Sequence, residues 1–119
     1  MLGLPKSTRR LAILLALSTP ALGLMATHAV SAVPARTQAV SIKMFAFTPR
    51  VLTVTPGTTV TWTNADEDPH TVTADDKSFH SAALDTDDKY SFTFTRPGQY
   101  AYFCSLHPHM TGKIIVKAA

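Results

Sequence analysis

The amino-acid sequence predicts an all-β protein, a small antiparallel β-sandwich that follows an N-terminal export signal. Two observations predict this fold. From residue 39 onwards, runs of β-branched and aromatic residues alternate with polar ones at a period of two. Between the runs stand Pro56-Gly57 and Pro97-Gly98, which suit type II turns because glycine accepts positive φ at the second central position. Short strands with one apolar face pair into two packed sheets or a barrel, and a sandwich is the simpler arrangement.

The alternating runs define the predicted strands. Val60 and Trp62, for example, alternate with threonines, and Tyr90, Phe92 and Phe94 alternate with serine and threonine. No part of the chain after the leader has a sustained helical period, although the stretch between the fourth and fifth strands has room for one helical turn. The predicted strands are residues 39–47, 50–55, 58–63, 70–74, 89–95, 99–104 and 112–117.

Residues 1–32 have the composition of an export signal. Lys6, Arg9 and Arg10 form a positively charged start, and an apolar run extends from Leu11 to Met25. Small residues at positions 30–32 indicate cleavage before residue 33, with positions 27–29 as the alternative, and the paired arginines leave the twin-arginine route open. The apolar run is shorter than the ~20 residues of a membrane span, so a retained anchor is the less favoured reading. We therefore expect a cleaved signal peptide at 1–32, one domain at 33–119 and no stable membrane insertion after cleavage.

The charge balance gives no reason to expect a nucleic-acid partner. The whole chain has 11 basic and 8 acidic residues, a net charge of +3. Three of the basic residues and none of the acidic ones fall in the leader, so the remainder is neutral when its histidines are neutral. The basic character therefore belongs to the leader, and binding to nucleic acid is excluded from the prediction.

One nine-residue segment carries most of the chemical information. Cys104 is the only cysteine, so no internal disulfide can form, and a free thiol in an oxidising compartment needs another explanation. Cys104, His107 and Met110 follow the spacing C-x2-H-x2-M between two predicted strands. His70 stands where an earlier loop enters a strand, and sheet pairing can bring the two loops to one end of the sandwich.

Two imidazoles, one thiolate and one thioether form the donor set that copper favours for electron transfer. The sulfur ligands stabilise Cu(I) and the imidazoles tolerate Cu(II), so a site held between these preferences changes little on reduction. Zinc is the alternative metal, but one cysteine with methionine as the fourth donor argues against a structural zinc site. Neither an open coordination position nor a general base is apparent, so electron transfer is expected rather than enzyme activity.

The chain resembles the cupredoxins of the plastocyanin and amicyanin type, and its short ligand loop is most similar to that of amicyanin. The resemblance implies a Greek-key β-sandwich with one type 1 copper near one end. It implies that His70, Cys104 and His107 are the equatorial ligands, that Met110 is the axial ligand, and that electrons leave through the edge of His107. It extends over about residues 38–119 and includes residues 56–64, 69–70, 90–94, 97–100 and the ligand loop through Lys113.

Three positions differ from the usual pattern of that family. Thr71 stands where amicyanin-like chains usually have asparagine, and its hydroxyl can bond toward Ser105 and tie the two ligand loops together. Leu106 replaces the proline often found before the second histidine, so its N–H is free to donate toward the Cys104 sulfur. His109 replaces a residue that is usually apolar on the face that docks with partners. The predicted docking surface consists of Leu106, Pro108 and His109.

Three other features have structural interpretations. His80 is expected to be exposed and to make no contact with metal. The acidic segment from Asp66 to Asp68, beside His70, is interpreted as a solvated loop, with attraction of a basic partner as the alternative. Tyr100 follows a Pro-Gly turn and is interpreted as a corner tyrosine, which stabilises a β-sandwich through its hydroxyl.

Together these features predict a blue copper protein that is exported, to the periplasm or to an equivalent compartment, and that transfers single electrons between redox partners. The expected partners are a dehydrogenase, a cytochrome or an oxidase, each bound transiently by a monomer. The alternative is a periplasmic copper-binding protein for copper buffering, delivery or resistance. Such proteins tend toward open sites rich in methionine or histidine, and only two of the four methionines lie outside the leader, which favours the electron carrier.

Overall fold

The computed structural model describes Gly3, residues 13–27 and residues 36–118. The chain divides into two compact units, Met1–Ser31 and Ala32–Ala119. Among the described residues, no helix is both long enough and apolar enough to cross a bilayer. The charged start of the predicted signal peptide and its predicted cleavage positions lie outside the described residues.

The second unit is a β-sandwich, as the sequence predicts, and residues 36–118 contain no helix. Its strands are β1 (Thr37–Lys43), β2 (Ala46–Thr48), β3 (Val51–Val54), β4 (Thr58–Asn64), β5 (Thr73–Ala74), β6 (Lys89–Phe94), β7 (Gly98–Phe103) and β8 (Thr111–Val116). One sheet has the order β2-β1-β4-β6, and the other has the order β3-β8-β7-β5.

Each sheet is mixed, which differs in one detail from the antiparallel arrangement predicted from the sequence. β1 pairs with β4 in parallel, and β3 pairs with β8 in parallel, whereas the other pairs are antiparallel. The chain leaves the first sheet after β2, contributes β3 to the second sheet and returns for β4. Such crossovers put strands side by side that are not sequence neighbours. A period-two pattern reports which side chains face the core but not the direction of the neighbouring strand.

The first predicted strand, 39–47, is two strands joined by a tight turn at Met44 and Phe45. Both residues have positive φ, 52° and 56° respectively. This left-handed conformation costs a non-glycine residue roughly 1–2 kcal/mol, so other contacts must stabilise it. The turn also puts Met44 into solvent, 82% exposed, although the alternation places it on the same face as the buried Ile42.

The fourth predicted strand, 70–74, is shorter than expected. Only Thr73 and Ala74 form β5, while His70 makes an isolated bridge with Leu84. The stretch that had room for a helical turn is instead a tight reversal in which the Ala74 N–H donates to the Phe79 carbonyl at 2.9 Å. This reversal inserts Phe79 and Leu84 into the core.

Buried apolar side chains fill the space between the two sheets. Trp62 is fully buried, and its ring centroid lies 5.5 Å from that of Tyr102 in an edge-to-face contact. The Tyr100 hydroxyl donates to the Arg96 carbonyl at 2.7 Å, which confirms the corner-tyrosine interpretation. The remaining core residues include Val40, Ile42, Phe47, Val54, Val60, Val72, Ala74, Phe94, Ile114 and Val116.

Candidate metal centre

The structure brings His70, Cys104 and His107 together at one end of the sandwich. Nδ1 of His70 and Nδ1 of His107 each lie 3.7 Å from the Cys104 sulfur. One donor atom from each of the three residues lies within 4.8 Å of the other two. Pairing of β5 with β7 places Thr73 opposite Phe103, which brings the loop that carries His70 beside Cys104.

Asn64, the last residue of β4, fixes the loop that carries His70. Its side chain is fully buried, and its amide donates to the carbonyls of Asp68 and Leu84, each at 2.8 Å. Its side-chain oxygen accepts from the Asp66 N–H at 2.9 Å. Backbone bonds between His70 and Leu84, in both directions, complete the frame. All the hydrogen-bonding groups of a buried amide are thus used to shape the loop.

The second loop, from Cys104 to Met110, folds back on itself. The His107 N–H donates to the Cys104 carbonyl at 3.2 Å, and the Met110 N–H donates to the His107 carbonyl at 2.9 Å. The Cys104 N–H then donates to the Met110 carbonyl at 3.0 Å. These bonds bring the backbone of Met110 next to that of Cys104, and the Met110 side chain is buried.

The three donors differ in exposure in a way that suits a metal close to the surface. His70 and Cys104 are fully buried, whereas His107 is half-buried. Burying a thiolate without a compensating charge is unfavourable, and a cation held between sulfur and two imidazoles removes that cost. A soft sulfur and two imidazoles converging at this range fit a copper ion.

Thr71 joins the two loops, as the sequence predicts. Its hydroxyl accepts from the Ser105 N–H at 2.7 Å and lies 2.8 Å from the Ser105 hydroxyl. Its backbone N–H donates to the Cys104 sulfur at 3.3 Å. The prediction that Leu106 would make this bond to sulfur is wrong for the described structure. Residues 105 and 106 form the corner of the turn that the His107 N–H closes, and the Leu106 side chain is 50% exposed.

Asp66 was not among the residues that the sequence analysis assigned to the site. Its side chain is 12% exposed, and Oδ2 lies 2.8 Å from Nε2 of His70. The same carboxylate accepts from the backbone N–H groups of Met44 and Phe45, at 2.7 and 3.0 Å. Burial raises the pKa of Asp66, but the bonds from Phe45, Met44 and His70 outweigh it, so the pKa lies below its ordinary value.

The interpretation of the acidic segment as a solvated loop is therefore wrong for Asp66, although Glu67 and Asp68 are exposed. The only sequence signal for the contact between Asp66 and His70 was their spacing of four positions. This spacing is also common between acidic residues and histidines that do not touch. His80 is exposed, as predicted.

Phe45 is a second residue that the sequence pattern did not identify. Its ring stands nearly perpendicular to both imidazoles, with centroids 5.3 Å from His70 and 5.1 Å from His107. The ring is 44% exposed, so it covers the imidazoles from the solvent side. The three residues of the predicted docking surface, Leu106, Pro108 and His109, are all exposed.

Comparisons with known proteins agree with this geometry. A family model described as a cupredoxin-like domain matches residues 11–116. The chain is 35% identical to amicyanin-alpha of Methylorubrum extorquens over 84% of this chain and 88% of that protein. It is 39% identical to amicyanin of Paracoccus versutus over 75% of this chain and 71% of that protein. A purple cupredoxin from Nitrosopumilus maritimus superposes with a TM-score of 0.64 at 32% identity, over 66% of this chain and 98% of that one.

Proposed function

The chain belongs to the cupredoxin-like family, and from this premise we propose that it is an exported blue copper protein that passes single electrons between redox partners. Its cofactor is one type 1 copper, and it is an electron-transfer protein rather than an enzyme. The observation that carries the proposal is the convergence of His70 Nδ1 and His107 Nδ1 on the Cys104 sulfur, each at 3.7 Å.

We propose that His70, Cys104, His107 and Met110 would hold the copper. The full burial of His70 and Cys104 supports the assignment, as do the backbone bonds that hold Met110 beside Cys104. Bound copper supplies a one-electron couple between Cu(I) and Cu(II).

The protein's part is to keep the ligands in place in both redox states. The Thr71 hydroxyl ties the two ligand loops together through Ser105. The Thr71 N–H donates to the Cys104 sulfur and so withdraws electron density from it. A frame that does not rearrange when the charge of the site changes keeps the reorganisation energy low, which favours fast electron exchange.

We propose that electrons enter and leave at the half-buried ring of His107. The exposed side chains of Leu106, Pro108 and His109 lie next to it in the ligand loop. Phe45 packs edge-on against the His107 ring, and Met44 beside it is 82% exposed, so both extend the surface. The proposed occupant is a redox protein, such as a dehydrogenase, a cytochrome or an oxidase, that binds the monomer transiently through a small apolar contact.

We also propose that the protein is exported to the periplasm and that residues 1–32 are the signal peptide that directs it there. The positively charged start, the apolar run and the small residues that follow support this assignment. Intact mass of the protein recovered from the periplasm tests it. A mature chain that begins near residue 33 is expected, and an uncleaved chain in the membrane fraction would contradict it.

Copper buffering or delivery is the alternative function, and the burial of the site argues against it. Rapid metal exchange is easier when the donors are open to solvent, whereas His70, Cys104 and Met110 are at most 3% exposed. The described part of the chain also contains only two methionines outside the leader, Met44 and Met110. A closed site of this kind fits an electron carrier better.

The test is the visible and EPR spectrum of the purified protein loaded with Cu(II), followed by voltammetry. An intense thiolate-to-copper absorption band, a narrow copper hyperfine splitting and a reversible couple are expected. A colourless protein or an irreversible couple would instead favour copper handling or another metal, and Met110 would be the first ligand to reassign.

A further inference from the structure

We propose that Asp66 is the residue that positions His70 for metal binding, because its carboxylate accepts hydrogen bonds from three N–H groups at once. The backbone N–H groups of Met44 and Phe45 donate to it at 2.7 and 3.0 Å, and Nε2 of His70 lies at hydrogen-bonding distance, 2.8 Å from Oδ2. The inference rests on the proposed function in taking His70 as a ligand. The inference goes beyond the proposed function because it assigns a role to a carboxylate outside the ligand set.

The first consequence concerns the tautomer of His70. An ionised carboxylate can only accept hydrogen bonds, so Nε2 of His70 carries the ring proton. Nδ1, which faces the Cys104 sulfur, is then the unprotonated nitrogen with a free lone pair. The opposite tautomer would set the Nε2 lone pair against a carboxylate oxygen at 2.8 Å, with the ring fully buried. Asp66 thus directs the metal-binding lone pair toward the sulfur.

The second consequence concerns the turn between β1 and β2. Its two residues, Met44 and Phe45, adopt the left-handed conformation without glycine. The Asp66 carboxylate bonds both of their N–H groups and so offsets the conformational cost. The turn places the Phe45 ring 5.3 Å from His70 and 5.1 Å from His107. Asp66 therefore holds His70 directly through Nε2 and indirectly through the ring that packs against it.

An asparagine cannot replace this carboxylate. Oδ1 accepts from Met44, while Oδ2 accepts from Phe45 and His70. An amide has one oxygen and one NH2 group, so in either orientation its NH2 faces at least one of these donors. Asp66→Asn keeps the size of the side chain and loses at least one of the three bonds. Glu67→Gln is the matched control, because Glu67 is the next residue, is exposed and loses the same charge.

The first experiment uses the metal-free wild-type protein. Nitrogen-15 NMR correlations of the histidine rings report which nitrogen of His70 carries the proton. A slowly exchanging proton on Nε2 and an unprotonated Nδ1 are expected. A proton on Nδ1 with Nε2 unprotonated would overturn the proposal. This readout needs neither copper nor a variant, so it is independent of electron transfer.

The second experiment compares the copper affinity of Asp66→Asn and Glu67→Gln by competition with a chelator. A loss of 10–100-fold is expected for Asp66→Asn, with no loss for Glu67→Gln. A purely structural role would lower the unfolding free energy of Asp66→Asn but leave copper affinity equal in the two variants, and that result would refute the proposal. If Asp66→Asn does not fold, the tautomer of His70 in the wild-type protein decides whether the proposal stands.

The two proposals fail in different ways. An irreversible couple in a protein with the expected His70 tautomer and the expected affinity loss would remove the electron-carrier function and leave the role of Asp66 intact. A reversible blue site with the opposite tautomer, or with no affinity loss in Asp66→Asn, would leave the carrier function intact and remove the role of Asp66.

Discussion

Tyr102 lies directly opposite Gly112 in the pairing of β7 with β8, and its ring covers the space that a side chain at position 112 would occupy. A Cβ atom on Gly112 would lie 2.5 Å from the Tyr102 hydroxyl oxygen and 2.9 Å from Cε1. The ring cannot easily move aside, because it is 1% exposed and packs edge-to-face against Phe47 and Trp62. This contact joins the start of β8, just after the ligand loop, to the core.

We therefore expect Gly112→Ala to destabilise the protein by about 1–3 kcal/mol through overpacking. Urea unfolding of the metal-free protein measures the change. The matched background is Tyr102→Leu, which removes the ring and so makes room for the methyl group. In that background the same substitution is expected to cost much less. An equal cost in both backgrounds would show that the Tyr102 ring is not the obstacle.

Tyr102 also predicts how stability depends on alkaline pH. Burial raises the pKa of Tyr102 from 10.0 to about 12. Between these values the folded protein keeps a proton that the unfolded chain has lost, so this contribution is complete below pH ~10 and falls as pH rises toward 12. The loss amounts to about 3 kcal/mol in total. Tyr102→Phe lacks this pH-dependent contribution. The difference in unfolding free energy between the wild-type protein and Tyr102→Phe should therefore change by that amount over this pH range. Parallel pH profiles would contradict this.

The hydroxyl of Thr71 predicts how firmly the two ligand loops are joined. Thr71→Val keeps the shape of the side chain and the backbone N–H bond to the Cys104 sulfur, but it removes the acceptor for the Ser105 N–H. We expect a loss of about 1–2 kcal/mol in unfolding free energy and faster hydrogen exchange at the Ser105 amide. Thr73→Val is the control, because it removes a hydroxyl that lies 3.1 Å from the Thr71 hydroxyl but keeps the Thr71 oxygen that accepts from the Ser105 N–H. If hydrogen exchange at the Ser105 amide is unchanged in Thr71→Val, the Thr71 hydroxyl does not hold the two loops together.

The docking surface can be tested without an identified partner by electron self-exchange between two copies of the protein. Leu106→Glu puts like charges on both docking faces, so we expect the rate constant to fall by about tenfold while the absorption spectrum stays the same. Val51→Glu is the control, because Val51 is similarly exposed, 53% against 50%, but lies on β3. Equal rate constants in the two variants would place the electron-transfer contact elsewhere.

The strands and the ligand loop could be read from the sequence because their signals are local. Alternation places residues such as Trp62 and Ile114 in the core, and both are fully buried. The spacing from Cys104 to His107 is short enough for one turn to bring the two side chains together, and His70 was recognisable because its loop enters a strand that pairs beside them. These features depend on neighbours within a few positions, or on strand pairing that the alternation itself implies.

Other features depended on contacts between distant residues, which no local pattern encodes. The parallel pairs follow from crossovers between the sheets, and the Met44–Phe45 turn interrupts an alternation that otherwise continues through it. That turn is stabilised by Asp66, 22 positions away from Met44 along the chain. The sequence by itself thus determined the β-sandwich and the residues that converge as donors. Only the tertiary structure decided which carboxylate and which aromatic ring contact the two histidines, because those contacts come from packing at one end of the sandwich.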